Sequence, residues 1–597
     1  MAETNDQLYQ KFSQLQGEYG KYHGIVREMR RMYDLDFADE VIPAAARARG
    51  FKAVIPRTSR RIIDEAVDHI LYHPKVRIPV RPTKDAQIVE QEIAEKKRQA
   101  ISAWWRQVAQ RSNPLGDGRK WLMLDGMIAI KQTLRLDLLP DKDAPDYQKQ
   151  IDNLGEYEFL WDVELLDNEW VFADPSNHRN PRYVYVAYDI TAEHAREKFQ
   201  GSTGKWRDRE PFSRVKYIEY WSAPTFKSNG EWEPGKFLRW VDTELVHDGE
   251  NPYPYVPVAI EDSGYGLVRE GVDIEDKFVG LITHSQHILI AQARQWSAMQ
   301  AVTELTAFNP VEARNMSEER LKDLKVGPGE IWPLEGDVGT PGAETIEMRT
   351  WPNIPITVPQ MISLTDRELN GATKLEVLGG IPQSGVDTAS EADQNIRNAS
   401  AKLSAPVAAL ERIAAKLTRW ALMDIELVLE APATIMGMDG GSPAAVRLTP
   451  DDIKGYYDVS VQLRTTDEES LDLTRARFWG EMYRVMPFLS AWTAMEAGGI
   501  ADDPLAEMVR RAGEDVFLSE EFKQIRVASG AKSFGALAEM IAGMSANKGS
   551  GPMPTGGSDM GLVTQKMMTS PVEDRIATDA IIRRETDQGA SEIRGPR

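Results

Sequence analysis

Residues 390–431 carry the clearest helical pattern in the chain. Their apolar residues recur at spacings of only three or four, the period of an α-helix, at Ile396, Ala399, Leu403, Val407, Leu410, Ala414, Leu417, Ala421, Ile425 and Val428. Unbroken, such a helix spans about 60 Å at about 1.5 Å per residue. Pro406 removes a backbone donor and clashes with the preceding turn, so we expect a kink there. Ser390 and Asp393 resemble a capping box with a shorter acid, which indicates a start near Ser390.

A second helical feature is interrupted by an insertion. Residues 272–302 have a helical pattern with apolar residues near one side, at Ile274, Phe278, Leu281, Ile282, Leu289, Trp296 and Met299. In residues 305–339, Pro and Gly enclose one short charged helix and then a strand. Residues 353–378 begin a second helix, whose contacts with the first would come from Ile356, Met361, Leu364 and Leu369. The order predicts a small lobe at the tip of a helical hairpin.

The first half of the chain mixes helix and strand. Helical patterns cover residues 58–71, with Ile62, Ile63, Ala66 and Ile70 on one side, and residues 86–110, which end in Trp104, Trp105 and Val108. A Gly-punctuated apolar run at 116–136 is interpreted as partly helical and buried. Three blocks rich in aromatic and β-branched residues then predict strands, at 168–175, 182–190 and 215–223. This half therefore predicts an α+β fold.

Beyond the long helix the pattern becomes weaker. Residues 456–467 alternate like a strand, and residues 467–545 return to short helices. The last 50 or so residues lack periodicity and are rich in Gly, Ser, Pro and Met, so we expect a mobile tail. Truncation after Ser545 is expected to preserve folding.

Composition narrows the class of protein. A chain of 597 residues exceeds the size of one compact core and predicts several domains. Charges interrupt every apolar stretch before the roughly 18 residues that a membrane helix needs. The first residues lack the basic and apolar regions of a secretory signal, and the chain has no cysteine, which together favour cytoplasmic synthesis without disulfides.

The charge of the chain disfavours a conventional DNA-binding protein. Its net charge of −21 opposes tight, sequence-independent contact with a phosphate backbone. The distribution is uneven, with 15 Lys/Arg against 7 Asp/Glu in residues 45–111 and 5 against 10 in residues 304–352. These regions are either solvated faces or interaction surfaces, and the sequence leaves both open.

Familiar catalytic and metal-binding signatures are missing from the sequence. It holds no GxxxxGK[ST] phosphate loop, no GxSxG elbow and no HExxH, and Gly264 and Gly266 lack the third glycine of a dinucleotide site. His284 and His287 could share a metal, but no suitably spaced third ligand stands beside them, which favours a pair that faces solvent or a subunit contact. His69 and His73 are interpreted as structural, because Pro74 follows directly. We therefore predict no catalytic residue, no metal and no cofactor.

The order of these elements resembles the portal proteins of tailed bacteriophages over residues 40–545. Four stretches carry the resemblance: LMLDGMIAIKQTL at 122–134, NPYPYVPVAIEDSG at 251–264, the helix, lobe and helix of 272–376, and the long Pro-containing helix of 390–428 after a Gly-rich loop. No single short motif is diagnostic, so the resemblance rests on order.

The resemblance implies a non-enzymatic subunit of a ring of about twelve copies at the capsid vertex of a virion, a cyclic homo-oligomer. Double-stranded DNA would pass through it, and its partners would be the terminase large subunit, the major capsid protein, scaffold and a head-tail adaptor, with no membrane. It implies these domains: a wing of 1–271 and 393–466, stem helices 272–303 and 353–376, a clip of 304–352, a tunnel loop of 377–392, a helical crown of 467–545, and a flexible tail of 546–597.

The resemblance also suggests residues that face DNA or a partner. Those near the channel would be Lys374, Gln383, Ser384, Asp387, Thr388 and Arg397. Those of the clip would be Glu318, Glu319, Arg320, Lys322, Asp323 and Lys325, with Trp332 and Trp351 nearby. An ordinary exposed linker and a solvated helix with two core tryptophans are the alternatives. The basic region of 45–111 would face scaffold, capsid protein or a neighbouring wing.

Two other functions remain open. An acidic chain rich in tryptophan is also compatible with a carbohydrate-active hydrolase, which would need two carboxylates about 5 to 10 Å apart and an aromatic platform. Another virion assembly protein, such as a scaffold or tail component, fits less well. Scaffolds are mostly helical, whereas residues 165–260 are rich in strand patterns, and tail fibres show repeats or more β-structure.

Overall fold

A computed structural model describes residues 4–463 apart from 49, 71, 82–86, 141–146, 153, 156–157, 227–231, 308–310, 324–333, 335–341, 349–356, 374–388 and 440–441. These residues belong to the unit Met1–Asp502, and the second unit, Asp503–Arg597, lies outside them.

The described α-helices are α1 Asn5–Tyr33, α2 Ala38–Val41, α3 Ala44–Arg47, α4 Thr58–His69, α5 Gln87–Arg111, α6 Pro114–Asp125, α7 Tyr147–Asp152, α8 Ala192–Lys198, α9 Ile274–Lys277, α10 Gln286–Ala307, α11 Glu318–Asp323, α12 Thr357–Thr373, α13 Ala389–Met423 and α14 Pro450–Ile453. The described strands are β1 Lys75–Arg77, β2 Met127–Leu134, β3 Trp161–Leu165, β4 Val171–Ala173, β5 Tyr183–Thr191, β6 Arg214–Ser222, β7 Thr225–Phe226, β8 Trp232–Glu233, β9 Lys236–Val241, β10 Glu244–Glu250, β11 Val258–Asp262, β12 Val311–Arg314, β13 Thr345–Met348, β14 Ala433–Asp439, β15 Ser442–Leu448 and β16 Ser460–Gln462.

Two antiparallel sheets form the centre of the described structure. One has five strands in the order β10, β9, β6, β5, β4, and the other has three in the order β11, β2, β3. The strands expected at 168–175, 182–190 and 215–223 are present as β4, β5 and β6. The apolar run at 116–136 is helical only in its first part, α6, and then forms β2, the middle strand of the smaller sheet. The α+β expectation is therefore confirmed.

Helix α1 was not expected from the sequence. It begins with a capping box between Thr4 and Gln7 and runs for 29 residues. Phe12 packs edge-to-face on Phe172 of β4, with ring centroids 5.3 Å apart, and the Tyr185 hydroxyl of β5 donates to the Leu8 carbonyl over 2.9 Å. Near its end, Arg30 Nη2 donates to Asp125 Oδ2 over 2.7 Å. The helix therefore joins the larger sheet to α6.

The long helix matches its pattern closely. Regular α-helix runs through Pro406 to Met423, and residues Asp424–Leu429 continue as a π-helix, so the regular part ends earlier than expected. Its expected stripe is buried at Leu403, Val407, Leu410, Ala414, Leu417, Ala421 and Ile425. Val428, the last residue of the stripe, is only half-buried. The kink at Pro406 stays a prediction.

The expected single helix over 272–302 is wrong. Helix α9 stops at Lys277 and α10 starts at Gln286, because the chain between them packs against the end of α6. The Leu281 amide donates to the Met123 carbonyl over 2.7 Å. A Cβ on Gly280 would lie 2.1 Å from the Leu124 carbonyl oxygen, so this close approach requires glycine. Hydrogen bonds to a distant segment replace those of a continuing helix.

The second helix of the hairpin is present as α12, but its buried face differs from the expectation. Leu369 is buried, as expected, together with Ile362. Met361 and Leu364 are 54% and 59% exposed, so they do not pack against α10. Ile356 lies outside the described residues. The apolar pattern identified the helix but not the side that faces α10.

The end of the described chain also differs from the expectation. Of the expected strand at 456–467, the described residues 456–463 contribute β16, which pairs with β1, while an unexpected hairpin of β14 and β15 precedes it. Residues 467–545 and 546–597 lie outside the described residues, so the crown, the tail and the truncation after Ser545 stay predictions.

The contact of α1 with the sheet predicts a matched pair of variants. Phe12 is 1% exposed and Phe212 is 83% exposed. Phe12→Ala is expected to lower the free energy of unfolding by about 3 kcal/mol or more, because it removes a buried ring and leaves a cavity. Phe212→Ala should change it by less than about 0.5 kcal/mol. Urea titration of tryptophan fluorescence measures both, and an equal effect of the two would contradict this packing.

Candidate docking lobe and DNA-facing segments

The lobe between α10 and α12 is built from a strand pair and one short helix. Strands β12 and β13 pair antiparallel, from Val311 opposite Met348 to Arg314 opposite Thr345. The charged helix expected in this segment is α11. The structure therefore has a strand, helix and strand here, where the sequence predicted only a helix and one strand.

Ion pairing divides the charged residues of α11 into two groups. Arg320 Nη1 donates to Glu344 Oε1 over 3.1 Å, and the Glu344 side chain is only 9% exposed, so this pair holds the helix against the strand region. Glu318, Glu319 and Lys322 are exposed. Leu321 beside them is 45% exposed and adds apolar surface. The outward side of α11 thus offers two carboxylates, one ammonium and one leucine.

Several candidate residues fall outside the described part of the chain. In the lobe these are Lys325, Trp332, Trp351 and the side chain of Asp323. Near the expected channel they are Lys374, Gln383, Ser384, Asp387 and Thr388. Arg397 lies in α13, with its side chain outside the described part. All of these assignments stay predictions.

Polar contacts join the two helices that carry the lobe. Thr365 Oγ1 of α12 donates to Gln295 Oε1 of α10 over 3.2 Å, and Gln292 of α10 donates to Asp366 of α12. Gln292 is 4% exposed, so its amide is satisfied within the contact. These residues therefore pack α10 against α12, and the assignment of the two helices to a stem stays a prediction.

The long helix is held to β11 by a buried ion cluster. Glu261 is 2% exposed and accepts from Arg412 Nε at 2.9 Å and Lys416 Nζ at 3.4 Å. Burial alone would raise the pKa of the adjacent Asp262, but hydrogen bonds from His178 and Arg179 bring it well below its usual range. A buried carboxylate is tolerated because it is paired and hydrogen-bonded. These contacts fix the helix against the smaller sheet.

A second buried carboxylate, Asp424, lies at the junction of the long helix and its π-helical end. Tyr255 donates to Oδ1 over 2.5 Å, while Trp161 Nε1 and Gln132 Nε2 donate to Oδ2 over 3.1 and 3.2 Å. Trp420, one turn earlier, stacks on the Tyr255 ring at 4.3 Å. Three of the four stretches that carry the portal resemblance thus converge here, through Gln132, Tyr255 and Asp424.

Burial of the Asp424 side chain raises its pKa to about 7, although the three hydrogen bonds act in the opposite direction. The side chain is fully buried. Gln132 Oε1 is also buried and has no hydrogen-bond partner. Turning this amide over would place Oε1 beside Asp424 Oδ2, where a protonated carboxyl could donate to it. The site is therefore compatible with a neutral Asp424 near neutral pH.

An open cavity beside β3 bears on the hydrolase alternative. Asp162 and Glu164 lie on one face of the strand, about 7 Å apart along the chain, and Trp121 lines the same cavity. Arg119 and Lys120 line it as well. Arg119 Nη1 donates to the Val67 carbonyl over 2.7 Å and therefore has a structural role.

The histidine pairs of the sequence do not form a metal centre in the described structure. His284 lies in a 3₁₀ turn and His287 in the first turn of α10, and both are exposed. His69 ends α4, and His73 is exposed after it. Among the described residues, no three His, Asp or Glu side chains are grouped to hold a metal ion.

Comparisons with known proteins leave the family open. No family model matches the chain, and no curated protein matches it. A solved structure described as the neck of an empty GTA particle computed with C6 symmetry is similar at a TM-score of 0.35 and 11% identity, over 74% of this chain and 90% of that one. Similarity at this level does not identify a family. Within the part of the chain that the structure covers, no helix is long and apolar enough to cross a membrane.

No sequence pattern predicted Asp424 as a structural centre. Its position between Ala421 and Ile425 of the apolar stripe is a signal in the sequence that the acid is buried. Both neighbours are buried in the structure. The partners that satisfy it lie 292, 263 and 169 residues away, at Gln132, Trp161 and Tyr255. Such distances cannot be inferred from local spacing.

The raised pKa of Asp424 predicts a pH-dependent stability difference. An unfolded carboxyl titrates near 3.8, and the folded one near 7, so the folded state holds the proton more tightly. The stabilisation of the folded state that comes from protonated Asp424 is fully present below about pH 4 and is lost as the pH rises to about 7. The melting temperature of the wild type minus that of Asp424→Asn should therefore fall by several degrees from about pH 4.5 to 7.5.

The control for this measurement is Asp451→Asn, because the Asp451 side chain is 92% exposed. Its difference from the wild type should stay constant over the same range. A difference for Asp424→Asn that does not change with pH would show that Asp424 has an ordinary pKa.

Proposed function

We propose that this chain is the portal protein of a tailed bacteriophage, a non-enzymatic subunit of the ring through which double-stranded DNA enters and leaves the capsid. The observation that carries the proposal is the unit formed by α10, the lobe and α12. It is followed along the chain by the long Pro406-containing helix, in the order that portal proteins have. The convergence of three resembling stretches at Asp424 supports the same assignment.

The charge of the chain supports a conduit for DNA. A duplex that slides along an axis needs a wall that guides it without binding it tightly. Each phosphate neutralised by Lys or Arg would strengthen binding and slow movement. A net charge of −21 avoids such a trap. Scattered cations, with Lys374 and Arg397 as candidates, would then make only transient phosphate contacts.

Exposed apolar residues on α12 support assembly into a ring. Met361 and Leu364 are three positions apart and therefore share a helical face, and both are more than half exposed. A neighbouring copy in a cyclic assembly would cover them.

The assignment gives each part of the chain a partner. The exposed side of α11 would receive the terminase large subunit during packaging and a head-tail adaptor afterwards. The sheets and the long helix would belong to the wing, which faces the major capsid protein and scaffold. The protein would be made in the host cytoplasm and reside in the virion at the portal vertex.

The cavity with Asp162, Glu164 and Trp121 favours a second candidate, a carbohydrate-active hydrolase. Such enzymes use a pair of carboxylates beside the bound sugar, and Asp162 and Glu164 line the same cavity. Hydrolysis of a glycan by the monomer, abolished by Asp162→Asn, would establish it. A ring without such activity would eliminate it.

Purified full-length protein tests the portal proposal. Cryo-electron microscopy class averages and native mass should reveal a ring of about twelve subunits with a central channel wide enough for a duplex. Met361→Asp/Leu364→Asp should reduce ring formation, because it places two charges in the subunit contact. Leu136→Asp, at a residue that is 45% exposed elsewhere, should not. A compact monomer in the presence of scaffold would contradict the proposal.

A change in the segment between α12 and α13 is expected to affect DNA packaging without affecting ring assembly. Replacing residues 379–390 (GGIPQSGVDTAS), which include the first two residues of α13, by a shorter Gly-Ser linker should leave the ring intact but impair DNA packaging or retention in the phage. A Gly-Ser linker of the original length is the control for the effect of shortening. Normal packaging and infectivity with both linkers would refute the tunnel-loop assignment.

A further inference from the structure

A groove with a cavity volume of about 720 Å³ runs along one face of α5. It is closed on the sides by the segment that leads into β1 and by the first turn of α6. Its floor is apolar and buried, and consists of Val76, Trp105, Val108 and Leu115. Trp105 Nε1 donates to Thr418 Oγ1 of the long helix over 2.9 Å, which fixes the indole. The floor is therefore preformed.

The rim of the groove is basic. It carries Lys75, Arg98 and Arg106, together with His73. Arg98 forms an ion pair with Glu95 on the same helix, and its Nε donates to Glu95 Oε2 over 2.7 Å. Among the described residues that line the groove, none is Asp or Glu. This sign is opposite to the net charge of the chain, −21.

Two other cavities of the described structure provide a comparison, because each is lined by both signs. One has Asp117, Asp162 and Glu164 beside Arg119 and Lys120, and the other has Glu28, Asp39 and Glu40 beside Arg294. A charge of one sign is therefore not a general property of recesses in this chain.

The spacing of the groove residues suits an extended segment. Arg98, Ser102, Arg106 and Ala109 lie on successive turns of one face of α5 and span about 16 Å at 1.5 Å per residue. This length matches about five residues of extended chain at about 3.3 Å each. The N-cap of α6, Asn113, makes no side-chain capping hydrogen bond, so the positive end of that helix adds to the potential of the groove.

We propose that this groove docks a short acidic peptide segment of a partner protein, with apolar side chains on the floor and carboxylates against the basic rim. An apolar floor rewards a segment with apolar side chains. A nucleic-acid backbone offers no such side chain and would use the rim alone. The proposal goes beyond the portal assignment and does not require a ring.

The experiment uses the full-length protein and a fluorescein-labelled octapeptide of alternating Glu and Leu, followed by fluorescence anisotropy. Saturable binding with one peptide per chain is expected. Arg106→Glu and Lys75→Glu should each weaken binding about tenfold, because they replace attraction by repulsion. Arg106→Lys keeps the charge and should bind within about twofold of the wild type. Lys205→Glu, which reverses an exposed charge outside the groove, should bind like the wild type.

A variant that changes the shape of the groove but not its charge distinguishes docking of the peptide in the groove from electrostatic attraction to the surface. Ala109→Trp fills the groove without changing its charge and should abolish binding. Ser102→Phe is a second blocking variant, and thermal melting identifies any variant that fails to fold.

Three results would overturn the proposal. The first is equal weakening by Lys205→Glu and Arg106→Glu. The second is undiminished binding by folded Ala109→Trp and Ser102→Phe. The third is tighter binding of a 20-base-pair duplex than of the peptide, with the duplex lost in Arg106→Glu.

Discussion

Asp424 connects parts of the chain that are far apart in sequence, and the central architecture depends on that connection. Its two oxygens accept hydrogen bonds from the smaller sheet, through Gln132 and Trp161, and from the segment before β11, through Tyr255. A buried carboxyl is stable only when donors surround it. These hydrogen bonds therefore fix the end of the long helix relative to the smaller sheet. The π-helical turn at Asp424–Leu429 coincides with this position, and such turns frequently mark functional sites.

The same principle operates at the other end of the smaller sheet. Glu261 and Asp262 lie at the end of β11, where Glu261 pairs with Arg412 and Lys416 of the long helix, and Asp262 contacts Arg179 and His178. Two buried acidic centres thus hold one helix at two places along its length. The chain that leads into α10 is packed separately, against α6 at Gly280.

Local pattern predicted the elements whose apolar residues follow one period. The helices at 58–71, 86–110 and 390–431 are examples. Composition predicted the three aromatic strands, and the surrounding Pro and Gly predicted the charged helix of the lobe. Helix α1 carries a comparable stripe at Leu8, Phe12, Leu15, Tyr19, Tyr22 and Val26, with spacings of three and four, so its sequence contained the signal. The break before α10 could not be predicted, because the Leu281 amide bonds to Met123, whose proximity arises only in the folded chain. For the same reason the outward position of Met361 and Leu364 was missed.

The sequence alone determined that this is an acidic, cysteine-free chain with an α+β first half, a helical hairpin bearing a lobe, and a long buried helix. Composition and period are sufficient for these conclusions, because composition is a property of the whole chain and period depends only on residues that are close in sequence. Tertiary structure decided which acids are buried, which face of each helix meets a neighbour, and where charges of one sign gather. The basic groove along α5 combines residues from four separate segments. Its charge and shape exist only because the packing of Trp105 against Thr418 and the pairing of β1 with β16 bring those segments together.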